Sequence, residues 1–462
     1  MEPDPTYQAD YFDDDSNHDK FIELESTQVH SGTVLFRVSY HESLSRYLTT
    51  GLFYLNYDFP LESVPPSILS IPLLGLLLPF GWLTGAEVRV GDVDAKYLDS
   101  LPEVALEFKK MFPTMNFSGK IRAHPVKNDS EWRQDSYCLL YSGGVDSTCS
   151  LIRNYEKRPS LMTVRGTPDI RLHEEQYWTR VRGRIQPFIK SMGLEAHVVE
   201  TNAIDMVNLA ALKADYKGLV RHGWWEELAH GLFLLGACAP YTFHNQIGSV
   251  MIAASYTKKN QEPWGSSPMT DEKVRWGGTR VIHDSYDLSK VEKISQVLVP
   301  FMRNRGSPIP LRVCTGKRGA RLASNQLNCG QCAKCMAIEL SLIVSGVDAG
   351  QNGFDISPPT LMVLRQNLEA GWFGPKDYPI PWRFIKENIS STPESVVAGH
   401  PGLGEFLDWL ADWDERPTKK RRRYADKVAP PGSRRRDFAS AILGKKGKLE
   451  PGVMNADVGQ HA

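Results

Sequence analysis

A chain of 462 residues is too long for one ordinary hydrophobic core and predicts two or three units. It is 41% hydrophobic and 23% charged, the make-up of a soluble globular protein, and its 54 basic residues balance 54 acidic ones, which excludes attraction to polyanions by overall charge. The balance conceals an acidic beginning, "MEPDPTYQADYFDDDSNHDKFIELES", and a basic end that holds "KKRRR", "RRR" and "KKGK".

Residues 1–28 predict an acidic, flexible arm without the basic region, apolar run and cleavage site of a secretory signal. Residues 29–130 predict an N-terminal α+β accessory domain. Its strands are "TVLFRVSY", "GLFYLNYDF" and "AEVRVGD", and its helix over 94–112 should divide at Pro102. The apolar run 67–83 is broken by Pro72, Gly75, Pro79 and Gly81 and is short of the ~20 residues a bilayer needs. It reads as buried core, so no membrane contact is expected.

From 131 to 415 strands and helices alternate. Strands are expected at "YCLLYS", "SLMTVRG", "EAHVVETN" and "IGSVMIAASYT", with helices at 145–156, 175–193 and 223–240 between them. That rhythm predicts an α/β fold with a doubly wound parallel sheet, whose ligands bind beyond the carboxyl ends of the strands. Ser142 to Ser147, Arg165, Asn202 and Ser255 to Thr257 would then surround one crevice. The tail, 416–462, has 13 Lys and Arg in residues 416–450 against three acids and is expected to be disordered. A solvated tail is the simple reading; contact with nucleic acid stays open, although aromatic stacking residues are nearly missing from it.

The turn "SGGVDS" carries the clearest chemistry. Gly143 and Gly144 let the backbone approach an anion, and the helix that starts at Val145 offers N–H groups and a positive dipole end. Ser142 and Ser147 add hydroxyls; Asp146 suits a magnesium-mediated or loop-shaping role. Capping of a helix by Ser and Asp is the plainer reading, but strand, glycines, helix and two serines together favour a phosphate site. The Gly-Lys-Ser/Thr ending of the Walker loop is absent, and so is the three-glycine dinucleotide turn.

Seven cysteines fall into two sets. Cys138, Cys149 and Cys238 are scattered in apolar contexts, whereas Cys314 precedes a C-x2-C-x2-C run of Cys329, Cys332 and Cys335. Clustered thiols without a signal peptide suggest a reducing, cytoplasmic setting. Four thiolates can close a tetrahedron on Zn2+ as a structural centre; an iron–sulfur cluster is the rival. Further polar candidates lie in 263–294: Trp264 and Trp276 for stacking on a flat heterocycle, His283 with Asp284 for binding or proton relay, and Lys290 or Lys293 for a phosphate or a developing charge. His222, His230 and His244 read as packed histidines.

"SGGVDS" resembles the SGGxDS pyrophosphate loop of the N-type ATP pyrophosphatases. Followed by C-xn-C-G-x-C-x2-C, it makes the chain resemble the 7-cyano-7-deazaguanine synthase (QueC) family over roughly residues 136–345. The segment 263–294 and the extra N-terminal region resemble its longer members, found in anti-phage defence clusters such as the Qat type. One departure is visible: the family's second strand leads into Gln-Arg-His and a glutamate, and here it leads into "VRGTPDIRLHEE", with Arg165, Asp169 and His173 in that neighbourhood.

The resemblance implies a PP-loop (adenine nucleotide alpha hydrolase-like) sheet with a zinc-bearing C-terminal lobe. It implies ATP with Mg2+ bound by Ser142, Gly143, Gly144, Val145, Asp146, Ser147 and Arg165, and catalysis by Asp146, Lys293 and His283. It further implies a C–N ligase that adenylates a 7-deazapurine carboxylate for transfer to ammonia or to an amine on a partner protein, and it leaves a homodimer open. Plain nitrile synthesis in queuosine biosynthesis, an ATP-binding scaffold and an RNA sulfur-transfer enzyme are the alternatives.

Overall fold

The computed structural model describes residues 7–10, 20–128, 132–314, 326–330, 332–370 and 379–413. The first residues of the acidic arm and the whole basic tail 416–462 lie outside the described residues. Two compact units divide the chain, Met1–Leu327 and Asn328–Ala462.

The first unit is built on one twelve-stranded sheet. Its strands are β1 (Tyr7–Asp10), β2 (Phe21–His30), β3 (Thr33–Tyr40), β4 (Leu52–Tyr57), β5 (Glu87–Asp94), β6 (Lys120–Val126), β7 (Arg133–Leu140), β8 (Ser160–Arg165), β9 (Ala196–Thr201), β10 (Ile247–Ala253), β11 (Arg275–Trp276) and β12 (Thr279–Asp284). They lie in the order β1-β6-β5-β2-β3-β4-β9-β8-β7-β10-β12-β11. The run β9-β8-β7-β10-β12 is parallel throughout. Counted from β7, its order is third, second, first, fourth, fifth, the doubly wound arrangement in which strand order reverses between the first strand and the fourth. The protein is therefore α/β with a large, mostly parallel sheet, and the reversal falls between β7 and β10.

Strand periodicity sorts the flanking helices. Cys138, Leu140, Met162, Val164, Val250 and Ile252 point into a core shared with the helices α1 (Pro66–Thr84) and His230–His244. Leu139, Leu161 and Met251 alternate with them and are equally buried on the other face. Helices α3 (Val145–Arg153) and α4 (Glu175–Ser191) cover that second face.

Three expectations are corrected. First, the strands of 29–130 do not form a sheet of their own: β4 pairs antiparallel with β9, Leu55 opposite Thr201 and Tyr57 opposite Val199, so they extend the same sheet. Second, Phe21–His30 belongs to that sheet rather than to an arm. It is a ten-residue strand between β3 and β5, and the acidity of its surroundings conceals the buried Ile22 that seats it. Third, two proline-containing stretches are continuous helices. Helix α2 (Ala95–Met111) runs through Pro102, because Tyr97, Leu101, Val104 and Phe108 form a buried stripe worth more than one lost hydrogen bond.

Helix α1 likewise runs through Pro72 and Pro79. It is long and apolar enough to cross a membrane, yet its whole apolar window is buried inside the protein, so the reading as core agrees with the structure. A Cβ on Gly75 would stand 2.6 Å from the Leu232 carbonyl oxygen, so glycine is what lets α1 and the helix His230–His244 touch.

The second unit, among the described residues, is helical. Its main helices are Ala333–Val344, Pro358–Glu369, Pro379–Asn388 and Leu403–Asp412. Leu340, Leu361, Leu364, Ile385, Leu407 and Leu410 are among its buried apolar residues.

Candidate phosphate turn and cysteine centre

β7 runs through Tyr141 into the glycine turn at the rim where strand order reverses. Gly143 has φ +75°, and a Cβ there would meet Ile185 Cδ1 of α4 at 2.3 Å, so both conformation and space require glycine. Its carbonyl accepts the Arg312 N–H at 2.8 Å, and Arg312 Nε donates to the Ser142 carbonyl at 2.9 Å. The Ser142 N–H donates to Ser147 Oγ at 3.2 Å, and the Gly144 N–H to Ser142 Oγ at 3.3 Å. These bonds fix the turn from inside.

Gly144 is the N-cap of α3 and supplies no side-chain cap. The first-turn amides of Val145, Asp146 and Ser147 are donors that a helix cannot satisfy internally, and the dipole makes their surroundings positive. A Cβ on Gly144 would find nothing nearer than Ser142 Oγ at 3.3 Å and the Arg312 carbonyl oxygen at 3.5 Å.

Asp146 is clamped by two ammonium groups. Lys290 Nζ lies 2.6 Å from Oδ2 and Lys293 Nζ 2.9 Å from Oδ1; the Lys293 side chain is 1% exposed and also donates to the Ala254 carbonyl just past β10. Burial by itself would push the Asp146 carboxyl up, but the two lysines overcome it and hold it down at about 2. Ser289 and Glu292 form a capping box that starts the helix bearing both lysines, and Lys293–Leu298 continues it as a π-helical turn, a form that recurs at functional sites.

Asp146 and Lys293 are thus brought together, and Lys290 joins them. His283 is not part of this cluster. It and Asp284 are successive residues of β12 and leave opposite faces of the sheet: Asp284 lies 3.8 Å from Arg153 of α3, while His283 bonds Asp271. Arg165 reaches the rim, but its guanidinium is held by Glu200 at 2.6 Å, by Glu175 and by the Leu172 carbonyl at 2.8 Å. Asn202 accepts the Tyr54 N–H and donates to the Leu52 carbonyl, an anchor for the N-terminal strands.

Trp276 is core rather than a stacking surface: it is fully buried and its indole N–H donates to Thr242 Oγ1 at 2.9 Å. Trp264 packs against Tyr256 and His222. His222 lies 3.7 Å from the buried Glu227, His230 stands edge-on to Trp225, and His244 bonds Ser63. Sequence reasoning missed Arg312 and Asp271. Neither stands in a recognisable motif; Arg312 is marked only by lying two residues before Cys314.

The sulfurs of Cys314, Cys329, Cys332 and Cys335 all lie within 4.8 Å of one another, with Cys332 and Cys335 3.4 Å apart. Four soft donors and no competing oxygen or nitrogen in the set suit a metal ion such as zinc, and four protein ligands close its coordination. Gly330, φ +65°, makes the bend between Cys329 and Cys332; a Cβ there would press on Thr360 Cγ2 at 2.8 Å. Cys332 is the N-cap of the helix Ala333–Val344, where the dipole favours a thiolate. Comparison with protein-family models, with curated proteins and with solved structures finds no match to the chain.

Proposed function

We propose that the protein is a QueC-like, PP-loop ligase that uses ATP to adenylate a 7-deazapurine carboxylate and passes it to an amine, in anti-phage defence with a partner protein as the amine donor. One observation carries the reading: a glycine turn with first-turn amides sits at the reversal between β7 and β10, where doubly wound sheets bind ligands, and two lysines meet on its aspartate. ATP supplies the adenylyl group, which turns an unreactive carboxylate into an acyl donor with AMP as leaving group.

The chain's own part is to bind and to neutralise. The amides of Val145, Asp146 and Ser147 and the hydroxyls of Ser142 and Ser147 would bind the pyrophosphate. Lys290 and Lys293, which meet on Asp146, would neutralise phosphate oxygens, and Asp146 would be the residue to hold Mg2+. Arg165, committed to Glu175 and Glu200, orders the rim instead of gripping phosphate. The cysteine centre holds Zn2+ as a structural ion.

The test is direct. Purified protein given ATP, Mg2+ and 7-carboxy-7-deazaguanine should release pyrophosphate and AMP, and a partner protein should gain the mass of the deazapurine acyl group at an amine. Full AMP formation by Asp146→Ala would overturn the reading.

A further inference from the structure

A second constellation lies at the rim, on the face turned away from α3. His283 Nδ1 is 2.8 Å from Asp271 Oδ2, and both side chains are 2% exposed. Ser266 Oγ donates to the same carboxylate oxygen at 2.6 Å, and Thr270 Oγ1 lies 3.4 Å from the other. Glu272 Oε1 accepts the His283 backbone N–H at 3.2 Å, and the Tyr286 ring stands edge-on to the imidazole with centroids 5.9 Å apart. Gly231 makes the room: a Cβ there would come within 2.7 Å of Asp271 Oδ1. Ring, backbone and carboxylate are each held by a separate group.

A carboxylate only accepts, so Nδ1 carries the proton and Nε2 the lone pair, the tautomer of a general base. The dyad is joined to the lysine cluster through the rim backbone. The Asp284 carbonyl accepts the Ala254 N–H at 2.8 Å, and the Ala254 carbonyl accepts Lys293 Nζ. His283 is one residue before that bridge, near the carboxyl end of β12, two strands along the sheet from β7.

We infer that His283 is the base that takes the proton from the incoming amine, with Asp271 as its positioning residue and Ser266 holding Asp271; the inference rests on the ligase reading. The amine nitrogen attacks the acyl carbon of the adenylate. A C–N bond forms, the C–O bond to AMP breaks, and AMP leaves with the electron pair. The ammonium form of the amine has two protons to lose. His283 Nε2 takes the first before attack and passes it to water while Asp271 stabilises the imidazolium, and the second goes to water as the tetrahedral centre collapses.

The experiment uses the full chain with ATP, Mg2+, 7-carboxy-7-deazaguanine and either ammonium or hydroxylamine, and reads amide or hydroxamate formed per pyrophosphate released. Ammonium needs a base before it can attack, whereas hydroxylamine is already unprotonated at neutral pH. In His283→Asn and Asp271→Asn the ratio with ammonium should fall about 100-fold, and with hydroxylamine it should stay within about threefold. Each ratio counts only molecules that still release pyrophosphate, so misfolded protein does not enter it. Should His283→Asn fail to fold, Asp271→Asn carries the comparison, because an asparagine keeps the size of the side chain while presenting the wrong partner to Nδ1. An undiminished ammonium ratio, or an equal fall with both nucleophiles, overturns the inference and leaves the ligase reading standing. No pyrophosphate from the unsubstituted protein overturns both.

Discussion

The chain contains the same dipeptide at two turns that do opposite things. At Gly143 and Gly144 the backbone is fixed from inside by Ser142, Ser147 and Arg312, and an added Cβ on Gly144 would meet only two oxygens, Ser142 Oγ at 3.3 Å and the Arg312 carbonyl at 3.5 Å. At Gly277 and Gly278 the space is filled: Trp132 lies so close that a Cβ on Gly278 would be 1.9 Å from its Cγ, and one on Gly277 2.4 Å from its Cζ2. The second turn is also tied down on its polar side. Asp94 accepts the Gly277 N–H at 3.1 Å, and Lys96 donates to the Gly277 carbonyl at 2.6 Å. A pair of glycines leaves room for a ligand only where at least one of them is not crowded by another residue's side chain: Ile185 takes the volume beside Gly143, whereas both Gly277 and Gly278 are filled by Trp132.

The largest effect should come from closing the filled turn. Gly278→Ala places a methyl group inside an aromatic ring that has Phe243 against it, with ring centroids 5.6 Å apart. The expected loss is about 3 kcal/mol, the upper part of the range for overpacking, read as a lowered urea midpoint. In a background of Trp132→Ala the same change should cost under about 1 kcal/mol, a coupling that only direct contact produces. Equal costs in both backgrounds would mean that the indole is not what demands glycine.

The next effect belongs to the open turn. Asp146→Asn leaves Lys293 buried without its carboxylate and should destabilise by about 3 kcal/mol near neutral pH. The sign of its pH dependence follows from the depressed carboxyl. Asp146 stabilises the fold above its unfolded value, near 4, and that contribution fades as pH falls towards about 2. Urea midpoints of the two proteins should therefore converge between pH 4 and 2, because only the unsubstituted one has this stability to lose. A gap that stays constant would show that the lysines are held by something other than Asp146.

What could be read from the residues follows the same division between local and distant causes. The strand–turn–helix character of 137–153 is written in consecutive residues, and the four cysteines announce themselves by spacing. The joining of β4 to β9 is not written anywhere in β4, since pairing Leu55 with Thr201 is a choice between sheet edges far apart in sequence. The prolines of α1 were legible as breaks, and only burial on every side explains why they are not. His283 and Asp284 looked like one functional pair because they are neighbours. Once 279–284 is a strand, neighbours must part company, and each finds its partner on a different face.

The smallest change in stability should carry the most information about chemistry. Gly144 has φ −79°, which any residue adopts, and a methyl group there asks only the Ser142 hydroxyl, 3.3 Å away, to give by a few tenths of an ångström. Gly144→Ala should therefore cost less than about 1 kcal/mol, the scale of a changed N-cap. Yet the methyl stands beside the amides of Val145 and Asp146, where a phosphate would have to approach. Pyrophosphate release should fall on the order of 100-fold, the effect of a reacting group displaced by about 1 Å. The contrast with Gly278→Ala is then complete: one alanine unfolds without touching the reaction, and the other stops the reaction without unfolding. If Gly144→Ala folds normally and still cleaves ATP at the full rate, the space beside it is not where phosphate sits.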